Sequence, residues 1–420
     1  MSKKLKLLSL FSGCGGMDLG FEGGFRVPKK AINTNISRNI IAKTHPDGWV
    51  SLKENRFETV FANDILIDAK NTWTNHFRAR GRDTSVYHLE SIVDLVKKHK
   101  SGSKVFPDNI DVVTGGFPCQ DFSVAGKRQG FNSSKGHHGG KRTFEDASTE
   151  TRGQLYMWMK EVIEITKPKV FVAENVKGLV NLENVKDIIQ YDFSQANGSD
   201  YLVLDPQVLL AANYGVSQSR ERVFFIGIRK SALSKIALEE LQKSSISDDY
   251  NPYPKKTHYY QNGADENLKK FFSLGDLFKD LPEPDFTDDP SHKVYSKAKF
   301  MGKHCQGQTE IRLDNIGPTI RAEHHGNIEF RRLSKNNGGK SIELKLELSE
   351  RRLTPRECGL IQSFPDDFEF VIPSTEGRKK YIVSPSKAYK VIGNAVPPLL
   401  AYHLAHRLDS LWDKYFDKRE

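Results

Sequence analysis

Cysteine is scarce in this chain, with four among 420 residues. Cys14, Cys119, Cys305 and Cys358 lie far apart, with no CxxC pair and no Cys/His cluster. That spacing argues against a disulfide framework and against a zinc site, and no metal is expected. Long apolar runs are missing as well: no stretch approaches the roughly 18 residues of a membrane span. The opening MSKKLKLLSLF places basic residues before apolar ones, but SGCGG interrupts it too early for the apolar segment of a secretory signal. Internal repeats are also lacking. These absences lead us to expect a soluble protein of a reducing, cytoplasmic compartment.

What is present bounds the chain from the other side. Apolar residues make up 37%, enough for a packed core, and charged residues 28%, ordinary for a globular protein. The length allows two domains, or one large domain and a module. The formal net charge of +10 favours polyanionic partners, nucleic acid first and anionic membrane second. An evenly solvated basic surface is the plain alternative.

The first half alternates strands with helices. FETVFAND (57–64), IDVVTGGF (110–117), KVFVAEN (169–175) and ERVFFIGIR (221–229) read as strands; SIVDLVKKH (91–99) and LYMWMKEVIEITKP (155–168) read as helices. Such alternation predicts an α/β fold with a doubly wound, mostly parallel sheet. After about residue 230 the pattern fades into polar, turn-rich sequence, which suggests a separate module. Its later part, 293–352, holds thirteen Lys/Arg against seven Asp/Glu, so the basic surplus is concentrated there. PPLLAYHLAHRLDSLW (397–412) reads as a late helix, with Leu400, Leu404, Leu408 and Leu411 on one face. That face must pack on something, most simply the first domain.

LKLLSLFSGCGGMDLGF reads as a strand, a glycine loop and a helix start. Gly13, Gly15, Gly16 and Gly20 permit close backbone approach, and a helix N-terminus favours an anionic group. A nicotinamide dinucleotide fits poorly, because the third glycine of GxGxxG would fall at Asp18. The next acidic strand end is Asp64, well beyond the usual spacing. The loop suits instead the methionine carboxylate of S-adenosylmethionine, with Asp64 on the ribose; a plain tight turn stays open.

Ligands of a doubly wound sheet bind at the carboxyl ends of its strands. Cys119 in GGFPCQDFS follows one such end, and Glu174 in AENVKGL ends another. Arg220 and Arg222 in QSRERV precede a third strand. Singly, these read as a small buried residue, a surface carboxylate and salt-bridge arginines. Together they describe one chemistry. Cytosine C5 becomes nucleophilic once a thiolate adds to C6, a carboxyl acting at N3 helps as charge develops, and Arg222 can hold O2 and favour the thiolate.

On these motifs the chain resembles the bacterial C5-cytosine-specific DNA methyltransferases of restriction-modification type. LFSGCGGMDLGFEGGF is similar to the family's cofactor loop, GGFPCQDFS to its catalytic loop, AENVKGL to its Glu-Asn-Val motif and QSRERVFFIGIR to its Gln-x-Arg-x-Arg element. RRLTPRECGLIQSFPDDF (351–368) and YKVIGNAVPPLLA (389–401) resemble its two late motifs. The resemblance implies a Rossmann-like catalytic domain over 1–250 plus 386–420, and a smaller DNA target-recognition domain with hinge over 251–385. It implies Cys119 as nucleophile, Glu174 acting on N3, and Arg220 and Arg222 as active-site arginines. For S-adenosylmethionine it implies Phe11, Gly13, Gly15, Gly16, Asp64, Ile65, Pro118, Asn394 and Val396. It further implies base flipping from double-stranded DNA, a cytoplasmic, DNA-associated monomer, and a protecting role beside a restriction endonuclease acting on the same site. A solitary regulator would look the same.

There are departures from the family pattern. YHLESI (87–92) stands where a Gly-Asp usually contacts adenine, so that contact is unassigned. Residues 26–56 and 132–152 are inserted, the latter carrying His137 and His138, which read as solvated loop residues. Base reading is expected between about 230 and 350, with Arg321, His324, His325, Asn327, Arg331 and Arg332 as candidates; phosphate contact or strand capping is the plainer role for any one of them. An RNA-directed relative methylating tRNA cytosine is the nearest rival, followed by a nicotinamide oxidoreductase and a catalytically dead DNA-binding protein.

Overall fold

The computed structural model describes residues 3–118, 155–182, 184–261, 266–302, 308–322, 329–374 and 380–417. Cys119, the inserted loop 132–152, and His324, His325 and Asn327 lie outside these residues.

Eight strands form the central sheet: β1 (Leu5–Leu10), β2 (Phe57–Asp64), β3 (Tyr87–Leu89), β4 (Val112–Gly116), β5 (Val170–Val176), β6 (Tyr201–Val203), β7 (Gln207–Leu210) and β8 (Glu221–Arg229). Their order is β7-β8-β5-β4-β1-β2-β3, with β6 also pairing β8. The run from β5 through β3 is parallel, while β8 is antiparallel to β5, β6 and β7. The expected mostly parallel α/β sheet is therefore observed.

The strand sequences explain the layering. In β1, Leu5 and Leu7 join one apolar cluster and Leu8 and Leu10 another, so alternate side chains feed cores on opposite faces. Helices cover both faces: α1 (Gly16–Glu22), α2 (Ile67–Ala79), α3 (Ile92–Lys100), α4 (Leu155–Thr166), α5 (Val185–Ser194), α6 (Pro355–Ile361), α7 (Pro385–Asn394) and α8 (Pro398–Phe416). Thr354 and Glu357 close a reciprocal capping box at the start of α6, with Pro355 at its first position.

The late helix packs as its leucines predict. Leu400, Leu404, Leu408 and Leu411 are buried, and α8 lies against α1. The approach is close because Gly20 has no side chain: a Cβ there would lie 2.4 Å from Ala401 Cβ and 2.7 Å from the Pro398 carbonyl. A Gly20→Ala chain is expected to lose about 1–3 kcal/mol of stability, seen as a lower denaturant midpoint. An unchanged midpoint would contradict this packing. Arg56 joins the two ends of the sequence order: its carbonyl accepts from Leu5 N at 2.8 Å, and its guanidinium holds Asp409 at 2.6 Å and Asp413 at 2.9 Å on α8.

The insertion 26–56 folds as a small antiparallel sheet of Arg26–Pro28, Trp49–Leu52 and Ile41–Thr44. It braces distant chain, since Asn33 Nδ2 donates to the carbonyls of Thr257 (2.9 Å) and Asn267 (2.8 Å). Short strands Thr309–Glu310, Glu329–Arg332 and Arg351–Arg352 form a further sheet in the later region. Phe272, Leu274, Ile311, Ile320 and Leu360 belong to the same apolar cluster as α1 and α8, so one core runs through both expected units.

Candidate active site

A cavity opens at the carboxyl ends of β1, β2, β4 and β5. Phe11, Gly13, Gly16, Asp64, Ile65, Pro118, Glu174, Arg220, Arg222, Asn394 and Val396 all line it. Gly15 does not, for a steric reason given by its neighbours.

The glycine loop is built by positive φ at Phe11 (53°), Gly13 (56°) and Gly15 (88°). A Cβ on Gly15 would lie 2.6 Å from Trp73 Cδ1, and one on Gly16 would lie 2.2 Å from the Val396 carbonyl. These two glycines therefore let α2 and the segment after α7 close on the loop. Gly13 differs: a Cβ there would meet no protein atom within 4 Å, so its bareness leaves room at the cavity wall. Gly13 N donates to Asp64 Oδ2 at 3.0 Å, and Leu66 N donates to Asp64 Oδ1 at 2.9 Å. Burial pushes the Asp64 carboxyl above its ordinary pKa, against the pull of those N–H groups and of Lys390.

Asp18, the residue that spoils a dinucleotide motif, is wholly buried. It accepts from Ser9 Oγ at 2.5 Å and Trp73 Nε1 at 2.7 Å, and Ser12 Oγ donates to Ser9 Oγ at 2.9 Å. Burial raises its pKa to about 7. This chain of hydroxyls holds the loop from beneath.

The wall fits a nucleoside carrying an amino acid. Asp64 offers a carboxylate beside the bare Gly13. Ile65, 40% exposed, offers an apolar surface on which a base can lie. Ser91 and Ile92, at the start of α3, complete that end of the cavity. They come from YHLESI, where the usual adenine-contacting pair is missing, so the gap in the motif is filled by wall residues of another type.

The catalytic rim is shaped by glycine as well. Gly116 pairs with Glu174 across β4 and β5, and a Cβ on Gly116 would lie 2.8 Å from Glu174 Oε2. The second glycine of GGF thus makes room for the carboxylate. Glu174 is 7% exposed and bonds Arg222 Nε at 2.7 Å. Burial raises its pKa, opposed by the charges of Arg222 and then Arg220. Asn175 Nδ2 donates to the Phe117 carbonyl at 3.3 Å, tying β5 to the segment that leads into Pro118 and Cys119. Asn175 was visible in the sequence only as the middle residue of the Glu-Asn-Val motif, with no role assigned to it.

Arg220 lines the cavity, but its Nη1 and Nη2 donate to the carbonyls of Ile320 and Gly393, each at 3.0 Å. Its guanidinium is buried among backbone carbonyls while its charge still acts on Glu174, so at the cavity it also positions the walls. Glutamines extend the junction. Gln218 Nε2 donates to Gln362 Oε1 at 2.8 Å, Gln218 Oε1 accepts from Ile320 N at 3.2 Å, and Gln362 Nε2 donates to the Ile392 carbonyl at 2.7 Å. A Cβ on Gly393 would lie 2.2 Å from Arg321 C, so this glycine lets residues 321–322 reach the end of α7. Four separated stretches meet here through buried polar bonds.

The base-reading candidates divide. Arg321 is exposed. Arg331 and Arg332 are buried, at 7% and 1% exposure, and the expectation that they face DNA is corrected. Arg332 binds Glu283 through Nη1 (2.9 Å) and Nη2 (2.5 Å) and Glu343 through Nη1 (3.0 Å). Arg331 Nε binds Glu343 at 3.1 Å. Arg351 bridges Glu283 at 2.9 Å and Glu357 at 2.8 Å. Arg352 and Arg356 are buried too, the latter on Asp289 at 2.6 Å. Much of the local basic surplus is therefore internal. Among the described residues no group of three or more His, Cys, Asp or Glu side chains is placed to hold a metal, and no helix is long and apolar enough to cross a membrane.

A mostly parallel sheet with a cavity at the carboxyl ends of its strands is the frame of a ligand-binding α/β protein. The chain belongs to the C-5 cytosine-specific DNA methylase family, which it matches over residues 5–410. It is 31% identical over 409 residues to the Type II methyltransferase M.BsuRI of Bacillus subtilis, covering 96% of this chain and 78% of that protein. It is 32% identical over 414 residues to M.BspRI of Lysinibacillus sphaericus, covering 96% and 81%. Spodoptera frugiperda DNMT2 shares the fold, with a TM-score of 0.54 at 16% identity over 96% of this chain and 99% of that one. The protein is thus a DNA cytosine-C5 methyltransferase of the type II restriction-modification family.

Proposed function

We propose that the enzyme methylates C5 of one cytosine within a short double-stranded DNA sequence, through a covalent Cys119–C6 adduct on a flipped base, and protects that sequence from a partner endonuclease. The observation that carries this reading is the buried Glu174–Arg222 pair facing the cavity beside Pro118, the residue before Cys119. S-adenosylmethionine, when bound, supplies a methyl group made electrophilic by its sulfonium. The chain supplies the rest. The Cys119 thiolate adds to C6, and the ring's electron pair moves to C5. Glu174 donates a proton or hydrogen bond at N3 while charge builds in the ring, and Arg222 keeps that carboxyl in place. After C5 takes the methyl group, a base removes the C5 proton and the ring expels the thiolate. Flipping is required because the sulfur cannot reach C6 inside the stack.

Nanopore or bisulfite sequencing of DNA from cells expressing the chain tests the proposal. One short motif carrying 5-methylcytosine is expected; well-expressed, folded protein with no such mark would overturn it. Glu174→Gln is expected to slow single-turnover methyl transfer by about 10²–10⁴-fold. Because the folded pKa of Glu174 is raised, its neutral form persists above the ordinary carboxyl range. Turnover should then fall as pH rises through that raised value, and the Gln variant should lose this limb of the pH profile.

A further inference from the structure

The anionic end of the cofactor needs a partner, and the glycine loop offers less than its sequence suggests. Gly13 N is engaged by Asp64, and Gly15 N donates to the Ser12 carbonyl at 2.9 Å. Helix α1 spans seven residues, too short to serve as an anion site by itself. A cation on the wall is a further means of balancing a carboxylate.

Among the described residues, three cationic side chains line the cavity: Arg220, Arg222 and Lys390. Arg222 is paired with Glu174 at 2.7 Å. Arg220 rests on the carbonyls of Ile320 and Gly393. Lys390 has no hydrogen-bond or ion-pair partner among the described residues, although it lies close enough to Asp64 to help keep that carboxyl ionised. Both Asp64 oxygens already accept backbone N–H groups. Lys390 stands on α7 four residues before Asn394, so the two share one helix face, and both line the cavity.

We infer that Lys390 anchors the carboxylate of the cofactor's amino-acid end, with the Asn394 amide one turn on as a second polar contact. The inference rests on the proposed use of S-adenosylmethionine and names the group that distinguishes the cofactor from a bare nucleoside. A lysine suits the task as a compact charge on a flexible stem, able to meet a carboxylate that enters beside Asp64 without locking to Asp64 itself.

Isothermal titration without DNA tests it. The probes are S-adenosylhomocysteine and its decarboxylated analogue S-adenosyl-3-thiopropylamine, which keeps the adenosine, the thioether and the amine. Lys390→Met is expected to weaken S-adenosylhomocysteine binding by about 10- to 100-fold and to leave the analogue within about twofold, as loss of one charge-assisted contact predicts. Lys390→Arg is expected to keep most of the affinity for S-adenosylhomocysteine. Equal weakening of both ligands, or weakening of neither, would overturn the inference while the proposed function stood. Wild-type protein binding neither ligand would instead overturn the cofactor assignment on which the inference rests. A thermal melt of each variant checks that the fold is intact.

Discussion

Cys119→Ala is expected to cut methyl transfer by more than about 10³-fold while leaving DNA binding in place. The size of the effect follows from the ring chemistry. Cytosine C5 does not attack a methyl group unless electron density is pushed onto it, and addition of sulfur at C6 supplies that push. Glu174, Arg222 and the cofactor can all be in position and still have no nucleophilic carbon to act on. Incorporation of labelled methyl groups into DNA measures the loss, and a gel shift on the same DNA shows that binding survives. Turnover within tenfold of the parent would sink the covalent route. The chain immediately before the thiol is well placed for this role: Pro118 lines the cavity, and Asn175 holds the Phe117 carbonyl.

Arg332→Met is expected to destabilise the protein by about 3 kcal/mol, because it removes one member of a buried ion cluster and leaves Glu283 to Arg351 alone and Glu343 to Arg331 alone. Glu283 would lose two of its hydrogen bonds and Glu343 one. Burial works to raise Glu283, yet the bonds and charges of Arg332 and Arg351 outweigh it and bring its pKa down to about 2. A depressed carboxyl stabilises the fold above its unfolded pKa and ceases to do so as pH falls through the folded value. The cluster should therefore weaken between about pH 4 and pH 2. Denaturant unfolding measures the first effect. The salt dependence of DNA binding separates the cluster from a phosphate contact: its slope should not change in Arg332→Met protein assayed while folded. Unaltered stability with a shallower salt slope would return Arg332 to the DNA-facing surface.

The contrast between these two sites shows what the sequence could carry. The parallel sheet was legible because its strands are apolar on both faces and alternate with amphipathic helices. Glu174 was legible because a polar residue ending such a strand stands out. Arg331 and Arg332 were misread because counting charge says nothing about burial, and their partner Glu283 lies far back in the sequence. The bonds of Arg220 were hidden for a related reason: its partners are carbonyls of Ile320 and Gly393, and a carbonyl has no signature in the sequence. The segment 26–56 was not legible as a sheet, since strands of three and four residues gain stability from the chain they pack on. Lys390 escaped notice although it stands one helical turn from Asn394, a spacing that could have marked it.

Arg56 has a consequence for how such a fold can be rewired. The first strand hangs on its carbonyl and the last long helix on its guanidinium, so the beginning and the end of the motif order lie side by side. With both held by one residue, a linker from α8 to β1 could replace the present order, and the chain could be opened at another surface loop. The bonds of Arg56 tie that strand to that helix, and they are indifferent to which of the two is synthesised first.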